Sequence, residues 1–336
     1  MDAKNSLTTA DFIAKEHRFG ARNYAPVPVV VDRALDCRVW DVDGREYIDM
    51  MSAYSAVSVG HLHPRVVGAL KAQADKVAVM SRAYHSNTLG PFLEKLCEVT
   101  GFGRALPMNT GAEAVETAIK CARRWGHRVK GVADGQQEIL VARGNFHGRT
   151  STIISFSTEE DYKSGFGPLA GGFVHFDYGD MASVRAGTTA NTCAILVEPI
   201  QGEAGVIVPP PGFFAELREW CDRNNILLID DEVQAGLGRT GRWFAFEHEG
   251  IRPDALILGK ALGGGVLPVS AFLADAKVMD AVFTPGSHGS TFGGNALAAA
   301  VGLEALRVIE DENLVARSAA MGAYLHERLQ SVMRES

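Results

Sequence analysis

An α/β fold built on a mostly parallel sheet is what this chain of 336 residues predicts. Three observations lead there. Short apolar runs recur between residues 138 and 274, amphipathic helical stretches lie between several of them, and the runs are apolar at successive positions. Strands that alternate polar and apolar residues face water on one side. Strands that are apolar throughout are covered on both faces, as when helices flank a parallel sheet.

Taken in order, residues 27–48 read as extended structure. VPVVV and CRVWDV flank a turn, and Asp43-Gly44 marks a tight hairpin before REYIDM. From about residue 64 helices alternate with short buried strands. The strand candidates are EILVA (138–142), TIISF (152–156), CAILVEPI (193–200), ILLID (226–230), DALILG (254–259) and VSAFLA (269–274). Residues 212–224 read as a helix with Phe213, Leu217, Trp220 and Cys221 on one face. Two helices close the chain, over 295–310 and about 313–334, the second carrying Leu325, Leu329, Val332 and Met333 along one side. Such a face needs cover. Either the N-terminal hairpin provides it or the chain is shorter than the natural domain.

Composition narrows the functional classes. The chain is 46% hydrophobic and 22% charged, which is ordinary for a globular protein and long enough for about two domains at ~150 residues each. A formal charge of −7 without Lys/Arg runs argues against nucleic-acid binding. No stretch approaches the ~18 apolar residues of a membrane span, and the first residues lack a signal peptide's apolar core. The five scattered cysteines form no C-x-x-C pair, so neither a disulfide framework nor a metal site is expected. A cytoplasmic metabolic protein is the expectation.

Gly236-Leu-Gly238-Arg-Thr-Gly241 and Gly165-Phe-Gly167-Pro-Leu-Ala170 match dinucleotide fingerprints, but neither sits between a strand end and an opening helix, and the second contains Pro168. Gly259-Lys260-Ala261 lacks the rest of a P-loop. Four other segments carry chemistry. In NTGAEAVETAIKCARRWG (109–126) Thr110 and Glu113 form a capping box, and Gly111-Ala112 leaves first-turn N–H groups open, as a phosphate requires; a well-capped surface helix has the same pattern. ILLIDDEVQ (226–234) ends a buried strand in acids that suit a metal, a general base, a cationic heterocycle or plain solvation. In ALILGKALGGG (255–265) Lys260 follows an apolar strand, where desolvation would make its amine nucleophilic unless it snorkels to water. HGSTFGGN (288–295) offers Ser290 and Thr291 hydroxyls before a helix, for phosphate or as a plain turn. Together they supply a carbonyl-reactive lysine, an acid for a pyridinium nitrogen and phosphate donors, the set that pyridoxal 5'-phosphate demands.

The sequence is similar to class III (subgroup II) aminotransferases of the fold-type I pyridoxal-phosphate enzymes, and within them to the branch acting on ornithine. The resemblance runs from about Phe19 to the end, through NYAPVPVV, WDVDGREYIDMMSAYSAVSVGHLHP, LPMNTGAEAVETAIKCARRWG, GNFHGRT, VEPIQGEAGV, DDEVQAGLGRTGRW, LGKALGGG and PGSHGSTFGGN. It implies a large cofactor-binding domain over 57–294 with a seven-stranded sheet. It also implies a small α+β domain formed by 1–56 and begun, incompletely, by 295–336. By position, Lys260 resembles the imine-forming, proton-shuttling lysine and Asp231 the pyridinium partner. Gln234 resembles the residue bonded to the ring's phenolic oxygen, and Phe146 the one stacked on the ring. Thr110, Gly111 and Ala112 match the phosphate loop, while Ser290 and Thr291 match residues that reach the phosphate across a homodimer interface. Tyr24, Tyr54 and Arg149 match positions that hold the α-amino acid end of ornithine, Gly289 leaves room there, and Glu203 matches a gate over a second arginine.

The implied reaction transfers the δ-amino group of L-ornithine to 2-oxoglutarate, giving glutamate 5-semialdehyde and glutamate in two half-reactions. Rivals are a sister ω-aminotransferase for acetylornithine or 4-aminobutyrate, a catalytically impaired fragment that only binds cofactor, and a nicotinamide oxidoreductase using the 236–241 glycines. In the family the arginine paired with the gate lies beyond the position of Ser336. The expectation is therefore a partial chain with complete cofactor residues, a compromised half-reaction with glutamate and 2-oxoglutarate, and reduced stability from uncovered helix faces.

Overall fold

A computed structural model describes residues 7–335; Met1–Ser6 and Ser336, which belong to the first and last of the expected units, lie outside the described residues. Among the described residues there are ten strands: β1 (Val31–Leu35), β2 (Arg38–Asp41), β3 (Glu46–Ile48), β4 (Arg104–Met108), β5 (Glu138–Ala142), β6 (Phe173–Phe176), β7 (Thr192–Val197), β8 (Leu227–Asp231), β9 (Ala255–Leu258) and β10 (Ser270–Ala274). The principal helices are α1 (Thr9–Phe19), α2 (Pro64–Ala74), α3 (Leu89–Thr100), α4 (Gly111–Trp125), α5 (Phe213–Asn224), α6 (Ala296–Asp311) and α7 (Leu314–Glu335). The first three strands form an antiparallel sheet, with the Asp43-Gly44 turn where the hairpin signal places it.

The other seven form one sheet in the order β4-β10-β9-β8-β7-β5-β6. Four of its pairings are parallel, and only β10 runs against both neighbours. Strands β7, β8, β9 and β10 are buried at every position, which is why they read as continuous apolar runs. Helix α4 covers one face through Ala114, Ala118, Ile119 and Ala122, while Phe92 and Leu96 of α3 and Leu306 of α6 pack with Leu256, Leu258 and Leu273 on the other.

The sequence reading errs at one strand and omits two. TIISF is not a strand: Ser151–Ile154 is one helical turn, with Ile153, Ile154 and Phe156 buried. A five-residue segment with three apolar side chains fits a buried helical turn as well as a strand, and only the packing decides. The sheet's edges are instead β6 and β4. Pro107 hides β4 from strand criteria, yet an edge is where a missing N–H is tolerated.

Two further features bear on the site. Ser52, Ala53, Tyr54 and Ser55 all have positive φ, between 45° and 78°, and make a left-handed turn without glycine. Each such residue costs roughly 1–2 kcal/mol, so something must hold the turn in place. At the other end of the chain α7 buries no residue, and Leu325 and Leu329 are more than half exposed. The N-terminal hairpin does not bury that face.

Candidate active site

The carboxyl ends of the aligned strands converge on one cavity, the position at which open α/β sheets bind ligands. It measures about 190 Å³ and is lined by Gly111, Ala112, Phe146, His147, Gly148, Glu198, Ile200, Asp231, Val233, Gln234 and Lys260. Each comes from a segment just after a strand: Gly111 after β4, Phe146 after β5, Glu198 after β7, Gln234 after β8 and Lys260 after β9.

The α4 end is built as its capping box requires. Thr110 Oγ1 accepts from Glu113 N at 3.3 Å, and Glu113 Oε2 accepts from Thr110 N at 3.1 Å and Asn109 N at 2.8 Å. Ser270 of β10 donates to Thr110 O at 2.7 Å and ties the loop to the sheet. Gly111 N and Ala112 N belong to the first turn, which has no intrahelical acceptors, and the helix dipole adds positive potential. A Cβ on Gly111 would stand 3.0 Å from Val233 Cγ1, so a side chain there would press into the cavity lining.

Asp231 is buried at the end of β8. Its Oδ1 accepts from Val233 N at 3.0 Å, and its Oδ2 lies 2.6 Å from Nδ1 of His147. His147 is fully buried and its Nε2 has no partner. Burial by itself disfavours its cation, but the bond and charge of Asp231 outweigh burial and raise its pKa. Glu198 Oε2 accepts from Phe146 N at 2.9 Å and so fixes the backbone beneath that ring. Its burial, opposed by His147 but reinforced by Asp231, pushes its carboxyl up to about 7. Asp230 does not line the cavity. Burial and the adjacent Glu232 drive its pKa far up, while Glu232 anchors Ala245 N and Phe246 N.

Lys260 has φ 40°, left-handed backbone after an extended Gly259. Burial lowers its pKa despite the attraction of Asp231, Glu203 and Glu198. An amine more readily neutral is a better nucleophile toward a carbonyl. Gln234 Nε2 lies 3.4 Å from Glu203 Oε1 at the exposed rim. Arg149 also stands at the mouth, its guanidinium 4.8 Å from the Tyr162 ring centroid and 5.5 Å from that of Phe146; the hydrogen bond it donates to Tyr162 Oη at 3.3 Å favours its charge against burial, with a smaller contribution from Tyr24.

Of the sequence-derived residues, Gly111, Ala112, Phe146, Asp231, Gln234 and Lys260 line this cavity and Thr110 caps its helix. Tyr24 and Tyr54 are exposed outside it. Ser290 and Thr291 do not line it either: Ser290 Oγ accepts from Asn109 Nδ2 at 3.0 Å, and Thr291 is exposed. Sequence reasoning missed His147 and Glu198. Their only signal was membership of the GNFHGRT and VEPIQGEAGV blocks. Among the described residues no group of metal-ligating side chains forms a metal site, and no helix is long and apolar enough to cross a membrane.

A strand-end lysine, a buried acid and an open helix N-terminus around one small cavity define a class of enzyme that known proteins specify further. Residues 19–336 match the model of the aminotransferase class-III family, and the chain belongs to that family. It is 54% identical over 316 residues to ornithine aminotransferase 2 of Staphylococcus aureus, covering 94% of this chain and 80% of the relative. Identity to the ornithine aminotransferase of Bacillus subtilis is also 54%, over 96% of this chain and 80% of that one. Among solved structures, the ornithine aminotransferase of Toxoplasma gondii superposes with a TM-score of 0.95 at 45% identity, over 97% of this chain and 77% of that one. The acetylornithine aminotransferase of Elizabethkingia anophelis gives 0.87 at 45% identity, over 98% and 80%. The protein is thus a pyridoxal-phosphate-dependent aminotransferase of fold type I. The cavity fits that cofactor: it offers an amine pushed toward neutrality, a buried acid, an aromatic ring and a glycine-lined helix N-terminus.

Proposed function

We propose that the protein transfers the δ-amino group of L-ornithine to 2-oxoglutarate, releasing glutamate 5-semialdehyde and glutamate. The observation that carries the chemistry is Lys260, held in left-handed backbone with a depressed pKa in the cavity that Asp231 closes. When bound, pyridoxal phosphate acts as an electron sink that weakens the bond from the amine-bearing carbon to hydrogen. Lys260 would hold the cofactor, and its amine, pushed toward neutrality by burial, would serve to accept and return the proton at the substrate carbon. Asp231, oriented by His147 and by Val233 N, would partner the ring nitrogen. Gln234 would bond the phenolic oxygen, Phe146 would cover the ring, and Thr110, Gly111 and Ala112 would receive the phosphate with Ser290 and Thr291 of a second copy. A homodimer with shared sites follows from that last assignment.

Substrate choice rests on the mouth. Arg149 grips the α-carboxylate through two N–H bonds, Tyr24 and Tyr54 flank the α-amino acid end, and Glu203 gates the other half-reaction. The names of the relatives at 54% identity support ornithine. The likeness to an acetylornithine enzyme supports a second reading, in which the α-nitrogen is acylated. A cytoplasmic location and the division at residues 56 and 294 belong to the same proposal.

The test is the visible absorbance of the protein loaded with pyridoxal phosphate. L-Ornithine should bleach the band of the lysine-linked cofactor, 2-oxoglutarate should restore it, and Lys260→Ala should abolish the cycle. A band that acetylornithine bleaches faster favours the second reading. A band that no amine alters refutes both.

A further inference from the structure

The left-handed turn Ser52–Ser55 has no glycine to relieve it, so its conformation must be imposed from outside. The structure shows by what. Oδ1 of Asp49 accepts from Met51 N and from Ser52 N, each at 2.9 Å, at the entry to the turn. Oδ2 of the same carboxyl lies 2.8 Å from Nε2 of His61. Both residues are in turn tied to the N-terminal hairpin: Asp49 N donates to Cys37 O at 2.8 Å, while His61 N and O pair with Asp36 O and N at 2.8 and 3.0 Å. Burial opposes ionisation of Asp49, yet the N–H of Ser52, His61 and the N–H of Met51 together hold its pKa below the usual range.

At its far side the turn packs against Lys260–Gly263. Just beyond it Val57 approaches Gly265 so closely that a Cβ there would stand 3.2 Å from Val57 Cγ1. The turn therefore spans from the hairpin to the segment that bears Lys260, with Tyr54 exposed at its centre. We propose that Asp49, braced by His61, is a positioning residue that imposes the left-handed turn and so presents Tyr54 to the α-amino acid end of the substrate. This rests on the reading of Tyr54 given under Proposed function.

The test compares the cofactor-loaded wild type with Asp49→Ala, Asp49→Asn, Ala53→Val and Tyr54→Phe. Three quantities are read: KM and kcat for L-ornithine, the inhibition constant of 1,4-diaminobutane (ornithine without its carboxylate), and hydrogen exchange over residues 51–57, which needs no turnover. Asp49→Ala should speed exchange there and raise ornithine KM about tenfold, with the diamine constant within about twofold. Asp49→Asn keeps the acceptor oxygen and should rescue most of both effects. Ala53 is exposed, so valine meets no side-chain obstacle; its β-branch resists positive φ, and the variant should reproduce the loss in a folded protein. Unchanged exchange in Asp49→Ala, or equal weakening of ornithine and diamine, overturns the proposal. If Tyr54→Phe leaves every constant unchanged while Asp49→Ala still speeds exchange, the substrate reading of Tyr54 fails and only the bracing of the turn stands.

Discussion

Gly202→Ala offers a perturbation whose consequence can be worked from coordinates. The Gly202 backbone lies outside the left-handed region, so alanine adds no backbone strain. Its Cβ would overlap Oε1 of Gln234 and stand 2.6 Å from Cδ and 3.2 Å from Nε2. The three nearest atoms it meets all belong to that side chain. The clash is with the end of a flexible side chain, so the chain folds and Gln234 turns away. What is lost is the 3.4 Å contact with Glu203 and, on the role proposed for Gln234, the bond it would make to the cofactor's phenolic oxygen. A net hydrogen bond is worth about 0.5–1.5 kcal/mol, so cofactor dissociation should strengthen roughly two- to twelve-fold. Equilibrium titration of the apoprotein with pyridoxal phosphate measures this, and a thermal melt of the apoprotein should move little. The decisive comparison is a double-mutant cycle: Gly202→Ala with Gln234→Ala should equal Gln234→Ala alone, because the glycine acts only by leaving room. Unchanged affinity in Gly202→Ala, or additive losses, refutes the reasoning.

Further outcomes are expected. If Arg149 grips the substrate carboxylate as proposed, Arg149→Lys would lose the paired N–H bonds, worth about 1.5–3 kcal/mol for a charged group; ornithine KM should then rise about tenfold or more in steady-state assays with little change in kcat. Glu198 has its folded pKa raised from 4.5 to about 7, so the folded state binds the proton more tightly. The stability this contributes is fully present below about pH 4.5 and is lost as pH rises to about 7. In urea melts Glu198→Gln should remove that part of the slope, leaving the parts due to Glu232, whose buried carboxyl is also pushed up to about 7, and to Asp230 and His147, whose pKa values burial and Asp231 respectively raise. Cys37 is exposed and should label rapidly, Cys97 slowly because burial raises its pKa, and Cys121, Cys193 and Cys221 only on unfolding, as mass spectrometry of alkylated protein would show.

The chain's own pattern determined what is local. β7, β8 and β9 are legible because burial on both faces demands uninterrupted apolar runs, and the α4 start because a capping box is written in four consecutive residues. Lys260 and Asp231 stand out for the same reason: ionisable groups directly after such runs are placed at strand ends. What only the tertiary structure decided depends on partners distant in sequence. His147 meets Asp231 across 84 positions, and Glu198 meets Phe146 across 52. The reversal of β10 between β9 and β4 leaves no mark in β10 itself, since an antiparallel strand buried on both faces has the composition of a parallel one. TIISF became a helical turn because its apolar residues found cover beneath α4 rather than along a strand. The left-handed turn at Ser52–Ser55 is the extreme case, because none of its residues favours positive φ, and Asp49, His61 and the hairpin impose it from outside.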